Sequence, residues 1–161
     1  MNAAGFHLAI VHAPLMAAAG GFTLLLCARL WHDERPFRLG LLVLVAGALA
    51  AAGAYYSGPS AHQVLVDGRF TTPDTLGLVE NHALWGRVSF VAMGLLGALA
   101  LQSYLQHYQG EATAAWQRWT VLAGSLVMIL MMAWTAHLGG WVRHPEIHPG
   151  YHPAPAEGVT P

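Results

Sequence analysis

The fold is decided by the stretch from Phe37 to Tyr56, which reads FRLGLLVLVAGALAAAGAYY. It contains 20 residues and a single charged side chain, that of Arg38. A helix needs about 20 apolar residues to cross the hydrocarbon core of a bilayer. Since lipid offers the backbone no hydrogen-bond partners, a continuous apolar span must satisfy its own peptide groups as a helix. This stretch therefore predicts a transmembrane helix.

Three further stretches have a similar length and character, roughly over residues 6–30, 83–104 and 121–142. The longest connection, 57–81, carries the turn signals Gly58-Pro59, Asp67-Gly68 and Thr72-Pro73. The sequence thus predicts an all-α integral membrane protein, a bundle of four transmembrane helices in up-down-up-down order over residues 1–142. An extended tail rich in His and Pro follows over residues 143–161.

The composition supports a membrane protein and excludes several other classes. Hydrophobic residues make up 55% of the 161 residues and charged residues 9%, where a soluble domain carries about 25% charged residues. The net charge of −1 excludes a nucleic-acid partner, because nothing could neutralise a row of phosphates. The single cysteine, Cys27, excludes an internal disulfide, and without a C-x-x-C-H motif only non-covalent haem is open to the chain.

The arginines predict the orientation in the membrane. Four lie on one side of the predicted bundle and three on the other, and no basic residue precedes the first span. The positive-inside rule favours both termini outside, which for a bacterial inner membrane means the periplasm. A cleaved signal peptide is the competing interpretation, although the first run is long and has no basic start. The two groups of arginines are Arg29, Arg35, Arg38 and Arg118, and Arg69, Arg87 and Arg143.

The ten histidines exceed either charge class, and three of them are predicted to lie at one depth. His12 is about six residues, or roughly 9 Å, into the first span. His82 stands at the start of the third span, and His137 about one turn inside the end of the fourth. A structural role is the alternative for each histidine, as a donor of a hydrogen bond between two helices and no more. Three ionisable side chains inside a membrane nevertheless indicate a functional site, and neutral imidazole is a ligand for Fe, Zn and Cu.

Haem b is the cofactor that suits these histidines. A bare ion would favour carboxylate or thiolate ligands, yet the nearest acid, Glu80, lies at the interface. A haem needs two imidazoles across an apolar slot, so the sequence predicts two iron ligands among the three histidines. The diagonal pair of His12 and His82 is preferred, with His137 as an alternative.

Small and basic residues near His82 complete the predicted cofactor site. Gly86, four residues after His82, would give the haem space, together with Ala133 and Gly139; close helix packing is the other explanation for these small residues. Arg87 would supply a cation to the haem propionates, unless it pairs with Glu80 or with lipid head groups.

The tail repeats a His-Pro step at every fourth residue, at His144, His148 and His152. Short histidine-rich tracts bind metal, so the tail predicts a weak copper or zinc site, aided by His7 and His62. A solvated, proline-stiffened tail that docks onto a partner explains the same pattern.

Three motifs resemble those of the bacterial four-helix membrane proteins of domain-of-unknown-function family 2231. They are I-V-H-A-P-L at 10–15, V-E-N-H at 79–82 and A-H-L-G-G at 136–140, and the likeness extends to about Arg143. The matching positions are His12, His82 and His137. Some members are joined to Rieske or cytochrome domains, so the resemblance implies redox work and haem.

These observations predict a haem b electron-transfer subunit of the membrane, working with other membrane or periplasmic redox subunits. The alternatives are a non-catalytic assembly or anchoring subunit of a membrane complex, and a periplasmic copper- or zinc-handling protein. No residues resemble a nucleophile with its base, which favours an accessory subunit over a stand-alone enzyme.

Overall fold

The computed structural model describes residues 3–67, 73–144 and 147–149, and the first two of these ranges are almost entirely helical. Its helices are α1 (Ala3–Ile10), α2 (Ala13–Trp31), α3 (Glu34–Asp67), α4 (Pro73–Tyr108) and α5 (Ala115–Arg143). Four segments are long and apolar enough to cross a membrane: Ala4–Trp31, Glu34–Val64, Leu76–Tyr108 and Ala115–Arg143. The prediction of an all-helical chain with four such helices is confirmed.

The first membrane-length segment is broken between α1 and α2 at Val11 and His12. Pro14 has no N–H, so it cannot donate to the carbonyl of Ile10, and the regular hydrogen-bond ladder stops there. The bonds on either side are intact: the Val11 N–H donates to the His7 carbonyl, and the Met16 N–H to the His12 carbonyl. A proline near the start of α2 is favourable for that helix and ends the one before it.

The two middle helices are longer than the apolar stretches that predicted them. Where the sequence indicated a turn at Gly58-Pro59, α3 continues to Asp67 with Pro59 inside it. The reason is tertiary: α1 packs against this part of α3, with Ile10 seated at Gly53 and His7 bonded to Ser57. These contacts stabilise a helical course that the local signal alone disfavours.

The helices pack in a closed ring. α2 contacts α3 and α5, α3 contacts α4, and α4 contacts α5, so α3 and α5 lie diagonally across the bundle. The interior is filled by Leu41, Leu44, Met93 and Val121, each 0% exposed. Glycine permits a close approach of two helices at Gly47, where an added Cβ would lie 2.7 Å from the Cβ of Ala17 on the neighbouring helix. Small residues at helix contacts are typical of packing in membranes.

The two ends of the bundle differ in the side chains that they gather. At the end formed by the C-termini of α2 and α4 and the N-termini of α3 and α5, Arg118 pairs with Glu34 at 2.9 Å. Arg29 lies over the ring of Trp119, 5.5 Å from its centroid. We call this the charged end. The opposite end carries His7, His12, His62, His82 and His137, and we call it the histidine end.

Candidate functional site

His82 is held at the histidine end by a hydrogen bond to α5. Its Nδ1 lies 3.0 Å from the carbonyl oxygen of Thr135. A carbonyl only accepts, so Nδ1 carries the proton and donates it, and Nε2 of the neutral ring keeps its lone pair. Among the residues that the structure describes, Nε2 of His82 has no hydrogen-bond partner. A metal-binding histidine is typically oriented in this way, with one nitrogen fixed and the other free.

Thr135 is itself fixed by two further bonds. Its hydroxyl donates to the Met131 carbonyl at 2.9 Å, which uses its only proton. The hydroxyl of Ser89, 3.0 Å away on α4, must therefore donate to Thr135. Ser89 is 2% exposed, so this network joins α4 to α5 inside the bundle and steadies the residue that orients His82.

Gly139 makes room for the imidazole of His82. A Cβ at this position would lie 3.0 Å from Cε1 and 3.3 Å from Nδ1 of the ring. Since Thr135 and Gly139 are four residues apart, they lie one above the other on the face of α5 that meets α4. Any side chain at Gly139 would push the ring away from its carbonyl partner. The sequence predicts that Gly139 makes space for a haem, whereas the structure shows that it makes space for the imidazole of His82.

Gly86 borders open space next to His82. The inward face of α4 runs through Ser89, Met93 and Ala100, all buried, and His82 and Gly86 continue it at helical spacing. Gly86 is half-buried, yet an added Cβ would meet no described atom within 4 Å. Gly86 is thus not a point of close helix packing, in contrast to Gly47.

His7 is a second anchored imidazole at this end, and sequence reasoning gave it only a minor role. Its Nδ1 lies 2.9 Å from the hydroxyl oxygen of Ser57 on α3. The Ser57 hydroxyl donates to the Ala54 carbonyl at 3.0 Å, and His7 also forms a hydrogen bond with the backbone of Ala54. One feature of the sequence indicates that His7 is packed: it lies on the same helix face as the apolar residues Ile10 and Val11.

His12 and His137 are placed differently from His82. His12 is exposed at the break between α1 and α2. His137 is exposed on α5 between two tryptophans, 5.6 Å from Trp134 and 4.5 Å from Trp141 by ring centroids. It is two residues from Thr135, or about 160° around the helix from the face that holds His82. The described part of the chain has no group of three or more His, Cys, Asp or Glu side chains arranged to hold a metal ion.

Arg87 faces away from His82. The two residues are about 140° apart around α4, and Arg87 is exposed beside Leu84, Val88 and Val91. Within the described residues Arg87 makes no ion pair, and Glu80 is likewise exposed. A role for Arg87 beside a haem held by His82 would need the long side chain to reach round the helix.

The tail histidines are described only in part. His144 ends α5, and its N–H donates to the Gly140 carbonyl at 2.8 Å. The ring of His148 meets Trp141 edge to face, with centroids 4.7 Å apart. His152 lies outside the described residues, so the copper or zinc site at the tail stays a prediction.

Comparison of the chain with known proteins found no match. No family model, no curated protein and no solved structure matches the chain. The resemblance to family 2231 stays a prediction carried by its three short motifs.

Proposed function

We propose that the chain is a multi-pass protein of a bacterial inner membrane that binds haem b at its histidine end and passes electrons within the membrane. The observation that carries this proposal is the state of His82. Its ring is fixed through Nδ1 by the Thr135 carbonyl, its Nε2 has no described partner, and it borders the open space at Gly86. An anchored imidazole with a free nitrogen, set among apolar helices, is what a b-type haem requires of its ligand.

The proposed topology follows from the helix ends and the arginines. The four membrane-length helices cross the bilayer in up-down-up-down order, with the charged end in the cytoplasm and the histidine end in the periplasm. Arg29, Arg35, Arg38 and Arg118 all lie at the charged end, in keeping with the positive-inside rule. The haem would then lie near the periplasmic face, within reach of a periplasmic electron donor and of a quinone or a partner complex in the membrane.

The residues around His82 suit a haem in three respects. The Nε2 of His82 could bind the iron, the small residue Gly86 leaves space on the inward face of α4, and the bundle interior below is apolar. Bound haem supplies reversible one-electron transfer, with a potential set by ligands, burial and nearby charge. Thr135 sets the tautomer of His82, and its carbonyl makes the ring more basic by accepting from Nδ1. Gly139 lets the ring reach that carbonyl.

Haem content per chain tests this proposal. The full-length protein is purified in mild detergent from haem-replete cells, and haem is measured as its pyridine complex. We expect about one haem per chain in the wild type and a loss of about tenfold or more in His82→Ala, because a ligand is removed. His107→Ala at the charged end is the matched control and keeps its haem. Equal haem content in wild type and His82→Ala would contradict the proposal.

The exposed side chain of Arg87 favours a second function, which is an assembly role within a membrane complex. An arginine on an apolar helix face is costly unless it finds a partner, and Arg87 makes no ion pair with the described residues. A neighbouring subunit with a carboxylate at this depth would supply one. Native electrophoresis of the tagged chain from gently solubilised membranes should show a large complex that Arg87→Leu disrupts. A complex of unchanged size would leave lipid head groups as the partner of Arg87 and refute the assembly role.

A further inference from the structure

A cavity of about 270 Å³ lies at the charged end, away from the site at His82. It is bordered by the connection from α4 to α5 and by the first turn of α3, and its polar lining consists of Glu34, His107, Glu111, Thr113 and Arg118. We infer that this cavity binds the headgroup of the membrane lipid phosphatidylethanolamine. The inference goes beyond the proposed function, because it does not involve haem and requires only that the four helices cross a membrane.

Arg118 supplies donors for the phosphate of the headgroup. Its Nη2 donates to Oε2 of Glu34 at 2.9 Å, and its guanidinium lies over the ring of Phe37, 4.2 Å from the centroid. A guanidinium has five N–H donors, and among the described residues only this one has a partner. The ion pair and the ring thus orient Arg118 while leaving donors for a phosphate, which arginine binds through parallel hydrogen bonds. The half-buried His107 lines the same cavity and adds an imidazole N–H.

Glu111 supplies an acceptor for the ammonium of the headgroup. Its side chain is exposed and forms no ion pair or side-chain hydrogen bond with a described residue. A primary ammonium carries three N–H donors, which a carboxylate accepts. With Glu34, the cavity holds two carboxylates against one guanidinium, so it disfavours a headgroup of net negative charge. Phosphoethanolamine has both the phosphate and the N–H donors that this lining requires, whereas choline has no N–H.

Thr113 provides separate evidence for a polar ligand. The residue is 8% exposed, and its Oγ1 is buried without a hydrogen-bond partner in the described structure. A buried hydroxyl without a partner destabilises a fold. Because Thr113 lines the cavity, a polar atom of a bound headgroup would supply that partner. Ser103 also has a buried hydroxyl without a described partner, but it does not line the cavity, which makes it a matched control.

The cavity lies at the level where lipid headgroups are expected. One membrane-length segment ends at Tyr108, the next begins at Ala115, and a third begins at Glu34. Tyr108 is 81% exposed and Trp116 61% exposed, and they flank the connection that lines the cavity. Exposed Tyr and Trp side chains are typical of the interface between hydrocarbon and water. A phospholipid would thus place its headgroup in the cavity while its acyl chains lie along the apolar surface of the helices.

Competition between lipids tests the inference. The full-length protein in mild detergent is given equal concentrations of phosphatidylethanolamine, phosphatidylcholine and phosphatidylglycerol with identical acyl chains, and bound lipid is measured by native mass spectrometry. We expect phosphatidylethanolamine to bind about tenfold more than phosphatidylcholine, because the methylated ammonium cannot donate to a carboxylate. Phosphatidylglycerol should also bind less, since it brings no cation to Glu111. Soluble glycerophosphoethanolamine at the same concentration should not displace the lipid, because it lacks acyl chains.

Two variants each remove one contact and keep the size of the side chain. Glu111→Gln changes an exposed side chain, so its folding is not at risk, and it should reduce the preference for phosphatidylethanolamine over phosphatidylcholine to near one. Thr113→Val removes a buried hydroxyl and should weaken phosphatidylethanolamine binding about fivefold. The matched controls, Glu80→Gln at the histidine end and Ser103→Ala, should bind lipid as the wild type does. Thermal unfolding in detergent shows whether each variant is folded.

Four results would overturn the inference. They are equal binding of phosphatidylethanolamine and phosphatidylcholine by the wild type, stronger binding of phosphatidylglycerol, and a preference that survives unchanged in both Glu111→Gln and Thr113→Val. The fourth is displacement by soluble glycerophosphoethanolamine at equal concentration, which would assign the cavity to a soluble ligand instead of a lipid. None of these results depends on haem content, so the inference and the proposed function fail separately.

Discussion

The charged end and the histidine end differ in the polar side chains that they pair. At the charged end Gln117 donates to Gln106 and accepts from the Ala114 N–H, and Arg118 pairs with Glu34, whereas the buried hydroxyl of Thr113 has no described partner. At the histidine end His82 uses Nδ1 for its anchor, and within the described residues neither its Nε2 nor the buried Nε2 of His62 has a partner.

The difference separates stability from ligand binding. A buried polar group without a partner costs about 1–3 kcal/mol, so the paired side chain of Gln117 at the charged end should stabilise the fold. The Nε2 of His82, which has no described partner, is the atom through which we propose that a ligand binds. Substitutions at the charged end should therefore change the unfolding temperature and leave the haem unaffected, and substitutions at the histidine end should do the reverse.

The largest effect is expected at Gly139. In Gly139→Val the new side chain would displace the ring of His82 from the Thr135 carbonyl, since even a Cβ would lie 3.0 Å from Cε1. We expect haem content to fall about tenfold or more, as for loss of an orienting partner. Gly140→Val is the matched control, because a Cβ there meets no described atom within 4 Å. Retention of full haem content in Gly139→Val would show that the ring does not need this position.

Gln117 should show the converse behaviour at the charged end. It is 2% exposed and makes two side-chain hydrogen bonds, so Gln117→Ala should lower the free energy of unfolding by about 2 kcal/mol. Thermal unfolding in detergent measures the loss, and the exposed Gln109→Ala should leave the unfolding temperature unchanged. The haem spectrum of folded Gln117→Ala should match the wild type. A loss of haem at temperatures where the protein is folded would break the separation of the two ends.

The connection after α2 allows a smaller test of stability at the charged end. His32 ends α2 with φ 56°, and a left-handed backbone costs a residue with a side chain about 1 kcal/mol. His32→Gly should therefore raise stability by about 1 kcal/mol, because glycine is the favoured residue just past a helix end. Gly110 already has a left-handed backbone, with φ 79°, and an added Cβ would meet no described atom within 4 Å. Gly110→Ala should therefore lower the free energy of unfolding, because alanine is strained in this backbone conformation. Shifts of the same sign in both variants would contradict this explanation.

The exposed ion pair should matter least. Arg118 and Glu34 are 38% and 48% exposed in their side chains, and such pairs contribute at most about 1 kcal/mol. Glu34→Gln should change the unfolding temperature slightly in low salt and not at all in high salt, since salt screens exposed charges. A large loss that persisted in high salt would mean that the pair is less open to water than its exposure indicates.

The helices themselves follow from the sequence, because a run of about 20 apolar residues leaves the backbone few alternatives in lipid. The helical course of α3 through Gly58-Pro59 does not follow from the sequence. The local residues indicate a turn, and the packing of α1 on Ser57 and Gly53 overrides that signal. That contact joins residues 50 positions apart. No periodicity in either segment specifies it.

The candidate site divides in the same way. A histidine at the start of an apolar run is visible in the sequence, and so is a glycine one turn after it. The partner that orients His82 is a backbone carbonyl 53 residues away, which any residue type would provide. Likewise, only the break before Pro14 distinguishes the packed His7 from the exposed His12. Depth in the membrane can be counted along a chain, but the direction of a side chain around a broken helix depends on what the helix packs against.

The central claim, that the histidine end binds haem b through His82, is tested most directly by one difference spectrum. The detergent-solubilised wild-type protein from haem-replete cells is recorded before and after reduction with dithionite. We expect a Soret band that shifts on reduction and a sharp α-band typical of b-type haem, both absent in His82→Ala. A colourless wild-type protein, or a b-type spectrum that survives in His82→Ala unchanged, would contradict the claim.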